Sequence, residues 1–387
     1  MNQISIKFYN FVGHLTQLLL KISGHRRNKY TEIYSNHSNK QLQNKTLWIH
    51  GASAGEIDAA LPLIEKFCTE YNIYVSFFSL SGYFHFKDNT LFDMVFLLPI
   101  DTKKNATKII RTLNPNLVIW LNNELWLNIL TEIRQNNIPL FLINANFSNR
   151  NNSNKLFTAF QKNCLKNFTA IHSSIENQFL DMLKIHYFLC PNMKLERAYQ
   201  NVVTNFDNKI MENHLLHEKI LLLGSVYPEE IQAFLFHNYN IDFPYSIWIF
   251  PHHLDEKNIN NIKNIYDSKD IRHRHRIIVF DKPHLLRYAY RYATCIYVGG
   301  GFRKGVHNIF EALVYNKFIV SGNNYKYHPD AKPWLADDYI IVTYTLQEAV
   351  KTCNNLMISQ NSPMQHDFSR LKASSIIYNW IIDNTKR

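Results

Sequence analysis

Short runs of β-branched and aromatic residues alternate with stretches of helical length and pattern along most of this chain, and that alternation restricts its folds more than any other feature. Apolar runs stand at Leu47–Ile49, Ile73–Phe78, Met94–Leu98, Leu117–Leu121 and Leu140–Ile143. A second series runs through Ile220–Leu223, Ile247–Phe250, Ile277–Phe280, Ile296–Val298, Phe318–Val320 and Ile340–Val342. Strands separated by helices pair in parallel, because a crossover helix must return the chain to the same edge, so the expected class is α/β with doubly wound parallel sheets. With 387 residues and about 150 residues per domain, two such domains in tandem are the simplest organisation. The polar stretch from Asn192 to His217 lacks a clear period, which places a linker near Asn201–Asn213. The expected bounds are a separate segment at 1–27, a first domain at 28–205 and a second at 206–387. The final stretch, Phe368–Ile382, is helical in pattern and could cross back to either domain.

Charge and cysteine usage narrow the setting. The formal net charge is +11, which suits a polyanion or an anionic lipid surface; a composition rich in Asn, Ile, Lys and Tyr raises Lys equally well without any such partner. Cys68, Cys164, Cys190, Cys295 and Cys353 are odd in number, far apart and free of metal-type spacing, as expected of thiols in a reducing compartment. Ile4–Ile22 carries apolar residues at helical spacing, interrupted by Asn10, His14, Gln17 and Lys21, and ends in His25-Arg26-Arg27-Asn28-Lys29. It is too polar to span a bilayer and reads either as an interfacial helix on an anionic membrane or as a first helix packed on the core.

Ligands of doubly wound sheets bind beyond the carboxyl ends of the strands, so the loops after these runs carry the candidate chemistry. The first is Gly51-Ala52-Ser53-Ala54-Gly55-Glu56, where small residues allow a sharp turn and leave amides open at a helix start. Glu56 on the first turn is either a helix cap or a catalytic carboxylate. Asp101 reads as an N-cap of the stretch from Thr102, whereas Glu124, within Asn122-Asn123-Glu124-Leu125-Trp126, is an expensive charge at a strand end unless hydrogen-bonded. In the second half, Gly224-Ser225-Val226-Tyr227-Pro228 reads as strand, turn and helix start. Pro251-His252-His253 follows the next strand; adjacent histidines cannot share one helix face, so no metal site is expected there. The run Gly299-Gly300-Gly301-Phe302-Arg303-Lys304-Gly305-Val306-His307-Asn308-Ile309-Phe310-Glu311 holds four of the 11 glycines. It fits neither a Walker loop nor the dinucleotide fingerprint, yet a basic glycine turn before a helix can hold a phosphate, and Glu311 one turn in can accept from ribose hydroxyls.

Taken together, the Gly51–Glu56 loop, Phe77-Phe78-Ser79 with Ser81-Gly82-Tyr83, Leu98-Pro99-Ile100-Asp101-Thr102, Glu124-Leu125-Trp126 and Gly299–Glu311 resemble the 3-deoxy-D-manno-octulosonic acid (Kdo) transferases of lipopolysaccharide synthesis. The motifs keep the family's order from the N-terminal segment to about Lys351. Three glycines before Phe302, with Lys304-Gly305-Val306-His307-Asn308, are similar to the branch found in Bacteroidetes. The resemblance implies a GT-B architecture, in which two Rossmann-like domains face a cleft and an N-terminal segment docks on the cytoplasmic face of the inner membrane. It implies an inverting transfer of Kdo from CMP-Kdo to a lipid A precursor, without metal or cofactor and without a nucleic-acid partner. Glu56 would be the general base, with Ser53, Gly55 and Glu124 on the acceptor side. Gly224, Ser225, Pro251, His252, Gly299, Gly300, Gly301, Lys304, Asn308 and Glu311 would hold the nucleotide sugar.

The chain departs from the family where Val202-Val203-Thr204-Asn205-Phe206-Asp207 lacks the usual glycine and following cation. Asn122-Asn123 stand where an aromatic or a cation often precedes the glutamate, and Arg303 stands at a frequent glycine. Two rival readings are another GT-B enzyme using a UDP-sugar on a lipid, and a non-catalytic descendant that binds a nucleotide sugar or lipid. A nucleic-acid-binding protein would need a reading module or interleaved aromatic and basic residues on one surface, and the sequence carries neither.

Overall fold

The computed structural model describes residues 45–147, 155–204, 209–215, 219–237, 245–255, 258–262, 276–282, 284–326, 328–336 and 339–386. The segment expected to form an interfacial helix, 1–27, lies outside them, as do residues 205–207 of the divergent stretch. Contacts group the described part of Met1–Arg197 with Lys372–Arg387 as one unit and Ala198–Leu371 as the other. That division falls at 197/198, eight residues before the sequence-based 205/206, inside the helix Lys194–Val203.

The first unit is a seven-stranded parallel sheet. Its strands are β1 (Lys45–Gly51), β2 (Tyr71–Phe77), β3 (Met94–Leu97), β4 (Leu117–Leu121), β5 (Leu140–Ile143), β6 (Ala170–Ser173) and β7 (Phe188–Leu189), in the order β3-β2-β1-β4-β5-β6-β7. Alternate residues of each strand feed opposite faces: Leu47 and Ile49 of β1 join one core with Leu117, Ile119 and Leu121 of β4, while Trp48, Val118 and Trp120 join the other. Both faces are covered, so the strands read as unbroken apolar runs rather than an alternating pattern. The helix Ala54–Phe67, here α1, packs on the first face together with the C-terminal helix Ala373–Thr385. That C-terminal helix is held by Ile377 and Ile381, both 0% exposed, and its start is fixed by the Glu196 carboxylate, which accepts from Ser374 N–H (2.8 Å) and Ser374 Oγ–H (2.6 Å).

Asp101 has a different partner from the one its position suggests. Thr102 caps the adjacent helix Lys103–Leu113, accepting from Asn105 N–H. The buried Asp101 carboxylate instead accepts from Asn128 N–H (2.9 Å) and Ile129 N–H (3.0 Å), capping the helix Leu127–Gln135 that follows Trp126. A cap supplied from a neighbouring loop satisfies the same orphan amides as a local one but leaves no local spacing to recognise.

The second unit repeats the plan with β8 (Ile220–Val226), β9 (Ser246–Pro251), β10 (Ile277–Val279), β11 (Cys295–Val298), β12 (Phe318–Gly322) and β13 (Ile341–Thr343), ordered β10-β9-β8-β11-β12-β13 and parallel throughout. In both sheets the first strand is flanked by the second and the fourth, which makes the crevice outside β1/β4 and outside β8/β11 a topological switch point, the place where such sheets bind ligands. Among the described residues no helix is long and apolar enough to cross a membrane.

Candidate functional sites

In the first unit the switch point brings together the loops carrying Glu56 and Glu124. Ser53 takes the N-cap position of α1 with extended backbone angles but makes no side-chain cap bond. Glu56, three residues on, folds its carboxylate back to accept from the amides of Ala52 and Ser53. One half of a capping box is therefore formed, and the Ser53 hydroxyl is not spent on the other half. At Gly55 the space a side chain would fill is open, with nothing but its chain neighbours and the helix's own backbone within 4 Å of an added Cβ. A glycine in a helical turn costs roughly 0.5–1 kcal/mol relative to alanine, and here it leaves room beside Glu56. Burial raises the proton affinity of Glu56, and the negative charge of Glu124 raises it further, while a hydrogen bond from the Asn122 side chain and the two backbone amides pull the other way. The net shift is upward, in the direction that makes a carboxylate a better base near neutrality.

Glu124 is not an idle charge. Its Oε2 accepts from Trp126 Nε1–H at 2.9 Å, and its main-chain oxygen accepts from Trp120 Nε1–H at 2.7 Å. Trp126 lies 5.3 Å from the ring of Phe78, which is exposed at the end of β2. Gly82 is required by close approach, since a Cβ there would stand 2.6 Å from Phe77 and 3.1 Å from the Ala54 amide nitrogen.

In the second unit the β8 and β11 loops meet over a buried carboxylate absent from the sequence-derived site. Glu230, 1% exposed, accepts from Tyr227 N–H (2.9 Å), Gly300 N–H (3.0 Å) and Tyr297 Oη–H (2.8 Å). It thereby ties the start of the helix Pro228–His237 to the glycine turn. The signal was its capping spacing from Tyr227, masked by the neighbouring Glu229. Gly299 N–H is also committed, to Gly224 O at 2.9 Å, so Gly299 and Gly300 contribute shape rather than open amides. A Cβ on Gly301 would stand 2.6 Å from the Gly322 backbone, and Gly300 has φ +87°. Ser225 takes φ +54° at the irregularity in β8, and a Cβ on Gly224 would stand 2.7 Å from Tyr290 Oη.

Around that turn stands a cluster of rings. His252, after Pro251 at the end of β9, stacks on His307 with centroids 3.9 Å apart; His253 lies 4.3 Å from His252, and Tyr227 is 5.0 Å from His252 and 5.6 Å from His307. Arg303 sits over the Tyr227 ring at 4.6 Å and pairs with Glu229 at 2.8 Å. Burial first, and neighbouring positive charge second, lower both His252 and His307 to about 4. Lys304 is exposed and contributes to the lowering at His252. Asn308, exposed, takes the N-cap position of the short helix Ile309–Leu313 without a side-chain cap bond. Glu311 stands 3.8 Å from the Arg287 guanidinium. Among the described residues no group of three or more His, Cys, Asp or Glu side chains is arranged to hold a metal ion.

Residues 25–196 match the family model described as 3-deoxy-D-manno-octulosonic-acid transferase (kdotransferase). A bifunctional glycosyltransferase/methyltransferase of Fusobacterium nucleatum is 25% identical over 88% of this chain and 58% of its own length. The 3-deoxy-D-manno-octulosonic acid transferase of Chlamydophila psittaci is 26% identical over 69% of this chain and 66% of its own, so the chain spans less than two thirds of either relative. The transferase of the same description from Rickettsia prowazekii is 24% identical, over 87% and 79%. Among solved structures, the UDP-GlcNAc 2-epimerase of Methanocaldococcus jannaschii superposes with a TM-score of 0.66 at 12% identity, over 87% of this chain and 99% of that one. At that identity the likeness is one of fold, two parallel-sheet α/β domains of the GT-B kind. The matched residues 25–196 and these curated relatives agree in what the chain is similar to, the Kdo transferases.

Proposed function

We propose that this chain is an inverting glycosyltransferase that moves Kdo from CMP-Kdo to a lipid A precursor in lipopolysaccharide synthesis. The observation that carries the reading is Glu56: a carboxylate of raised proton affinity, at the switch point of the first sheet, beside an unspent Ser53 hydroxyl and open space at Gly55. In this reading Glu56 takes the proton of the acceptor hydroxyl as its oxygen attacks the anomeric carbon of Kdo, with Glu124 keeping the base's proton affinity high. CMP leaves with the bonding pair, and its phosphate charge is met by Lys304 and the histidines, while Asn308 and Glu311 bind the nucleoside. A positioned base accounts for about 10²- to 10⁴-fold of the rate, and cations at the departing phosphate supply the electrostatic share. No step calls on a metal. The protein acts in this account as a peripheral enzyme on the inner membrane, brought to its lipid acceptor by residues 1–27.

The test incubates the full chain with lipid A precursor, Kdo, CTP and the CMP-Kdo-forming enzyme, and weighs the products. Wild type should add Kdo, and Glu56→Gln should add none while still binding CMP, because the amide keeps the shape but cannot take the proton. Turnover of Glu56→Gln within about threefold of wild type would remove the base assignment. Preference for UDP over CMP in a binding titration would favour a UDP-sugar donor instead.

A further inference from the structure

Beyond Glu56 itself, the first unit contains a directional chain of side-chain amides that ends on it. Asn122 and Asn144 lie one residue past the paired ends of β4 and β5, where Leu121 registers with Ile143. Both take left-handed backbone angles, φ +59° and +63°, a conformation that asparagine tolerates better than other side-chain-bearing residues. Asn144 Nδ2–H donates to Asn122 Oδ1 at 2.6 Å. Asn144 Oδ1 in turn accepts from Ser174 Oγ–H and Asn192 Nδ2–H, each at 3.0 Å. The Asn144 backbone is pinned as well, since its N–H donates to His172 Nδ1 (3.0 Å), whose Nε2–H donates to Cys190 O (2.9 Å). With two donors on its oxygen, Asn144 can face Asn122 only with its NH₂. Asn122, its oxygen thus occupied, can present only its NH₂ to Glu56, whose proton affinity the Asn122 side chain pulls down.

We propose that Asn144 and Asn122 are positioning residues that hold an amide donor on the Glu56 carboxylate and so set the pH at which that base becomes available. The proposal rests on the reading of Glu56 as the base. Other charge and dipole around Glu56 come from Glu124 and from the amides of Ala52 and Ser53, and replacing either asparagine by glycine alters none of these, whereas an aspartate at 144 adds a charge that acts in the same upward direction.

Three variants test it. Asn122→Gly suits the left-handed angle and deletes the donor. Asn144→Gly does the same one step away. Asn144→Asp places an acceptor against Asn122 Oδ1, which turns the Asn122 amide over and aims its oxygen at Glu56. The readout is the acid limb of kcat/KM for Kdo transfer against pH, together with the Glu56 carboxyl titration followed by ¹³C NMR. Asn122→Gly should move both upward by about one pH unit, a roughly tenfold loss confined to the acid side. Asn144→Asp should move them in the same direction without touching Glu56, and Asn144→Gly should move them less. Thermal melts and CMP binding on the same proteins check that the fold is kept. An unmoved Glu56 titration in both Asn122→Gly and Asn144→Asp overturns the proposal and leaves the base assignment standing. An active Glu56→Gln overturns the base assignment, and with it the catalytic meaning of the pair.

Discussion

The ring cluster of the second unit makes a measurable claim about pH. In the free protein His252 and His307 are held neutral, each lowered to about 4 by burial and by neighbouring charge. Buried His307 Nε2 has no hydrogen-bond partner. The titratable groups set against the pair are His253 and Tyr227, with Lys304 acting on His252. A phosphate oxygen of unit negative charge about 4 Å from an imidazolium contributes about 4 kcal/mol at an effective dielectric of 20, which equals about three pKa units. Binding CMP should therefore bring one of the two rings from about 4 to about 7. Only one proton enters, because the rings stack 3.9 Å apart and a second charge would face the first. For a group moving between those values, lowering pH from 8 to 6 tightens binding about tenfold by linkage; protonation of the phosphate itself, with pKa about 6, returns roughly half of that. Calorimetry of CMP at pH 6, 7 and 8, in buffers of different ionisation heat, should show about half a proton taken up per CMP at pH 7. Cytidine, lacking the phosphate, should bind independently of pH, and His307→Gln or His252→Gln should flatten the CMP profile. A CMP affinity constant across that range in the wild type would refute the argument, whereas absence of CMP binding at every pH would strike at the proposed function instead.

Loss of Glu311 or Asn308 by substitution with Ala should weaken CMP by roughly 1 to 3 kcal/mol, the scale of a hydrogen bond to a charged group; unchanged affinity in both would make this helix end structural. The buried histidines His50 and His172, lowered to about 3 and about 4 by desolvation, stay neutral in the fold while the unfolded chain takes up protons below its ordinary value of about 6.5. Stability is thus full above that pH and falls as pH drops toward the folded values, by about 2 kcal/mol per histidine at pH 5. Urea midpoints equal at pH 7 and pH 5 would contradict it. Deleting residues 1 to 24 should release the protein from anionic vesicles, with retention growing weaker in salt for the intact chain. A truncated chain that stays on vesicles as firmly as the full one would show that this segment is not the anchor.

Strand positions were legible because both sheet faces are buried, which leaves continuous apolar runs that no loop imitates. The last two strands of the first sheet, β6 and β7, escaped detection. Ala170–Ser173 is short and half polar, and Phe188–Leu189 contributes two residues, so neither makes a run. The Gly51–Glu56 and Gly299–Glu311 loops were legible because small residues and carboxylates at strand ends are locally unusual. Glu230 was not, since its buried bonds go to Tyr297 and Gly300, some 70 positions away along the chain.

By itself the sequence determined the α/β class, the two strand series and the loops that carry the candidate residues, all of which are written in spacing along the chain. Strand order was decided only by the tertiary structure. Pairing β1 with β4 and β8 with β11 converts separate loops into two crevices, brings Glu124 within electrostatic reach of Glu56, and lets Asp101 cap a helix 26 residues downstream of it. The proton affinities of Glu56, His252 and His307 belong to that level too. They follow from desolvation and from charges contributed by other loops, and a carboxylate or imidazole in a linear chain carries neither.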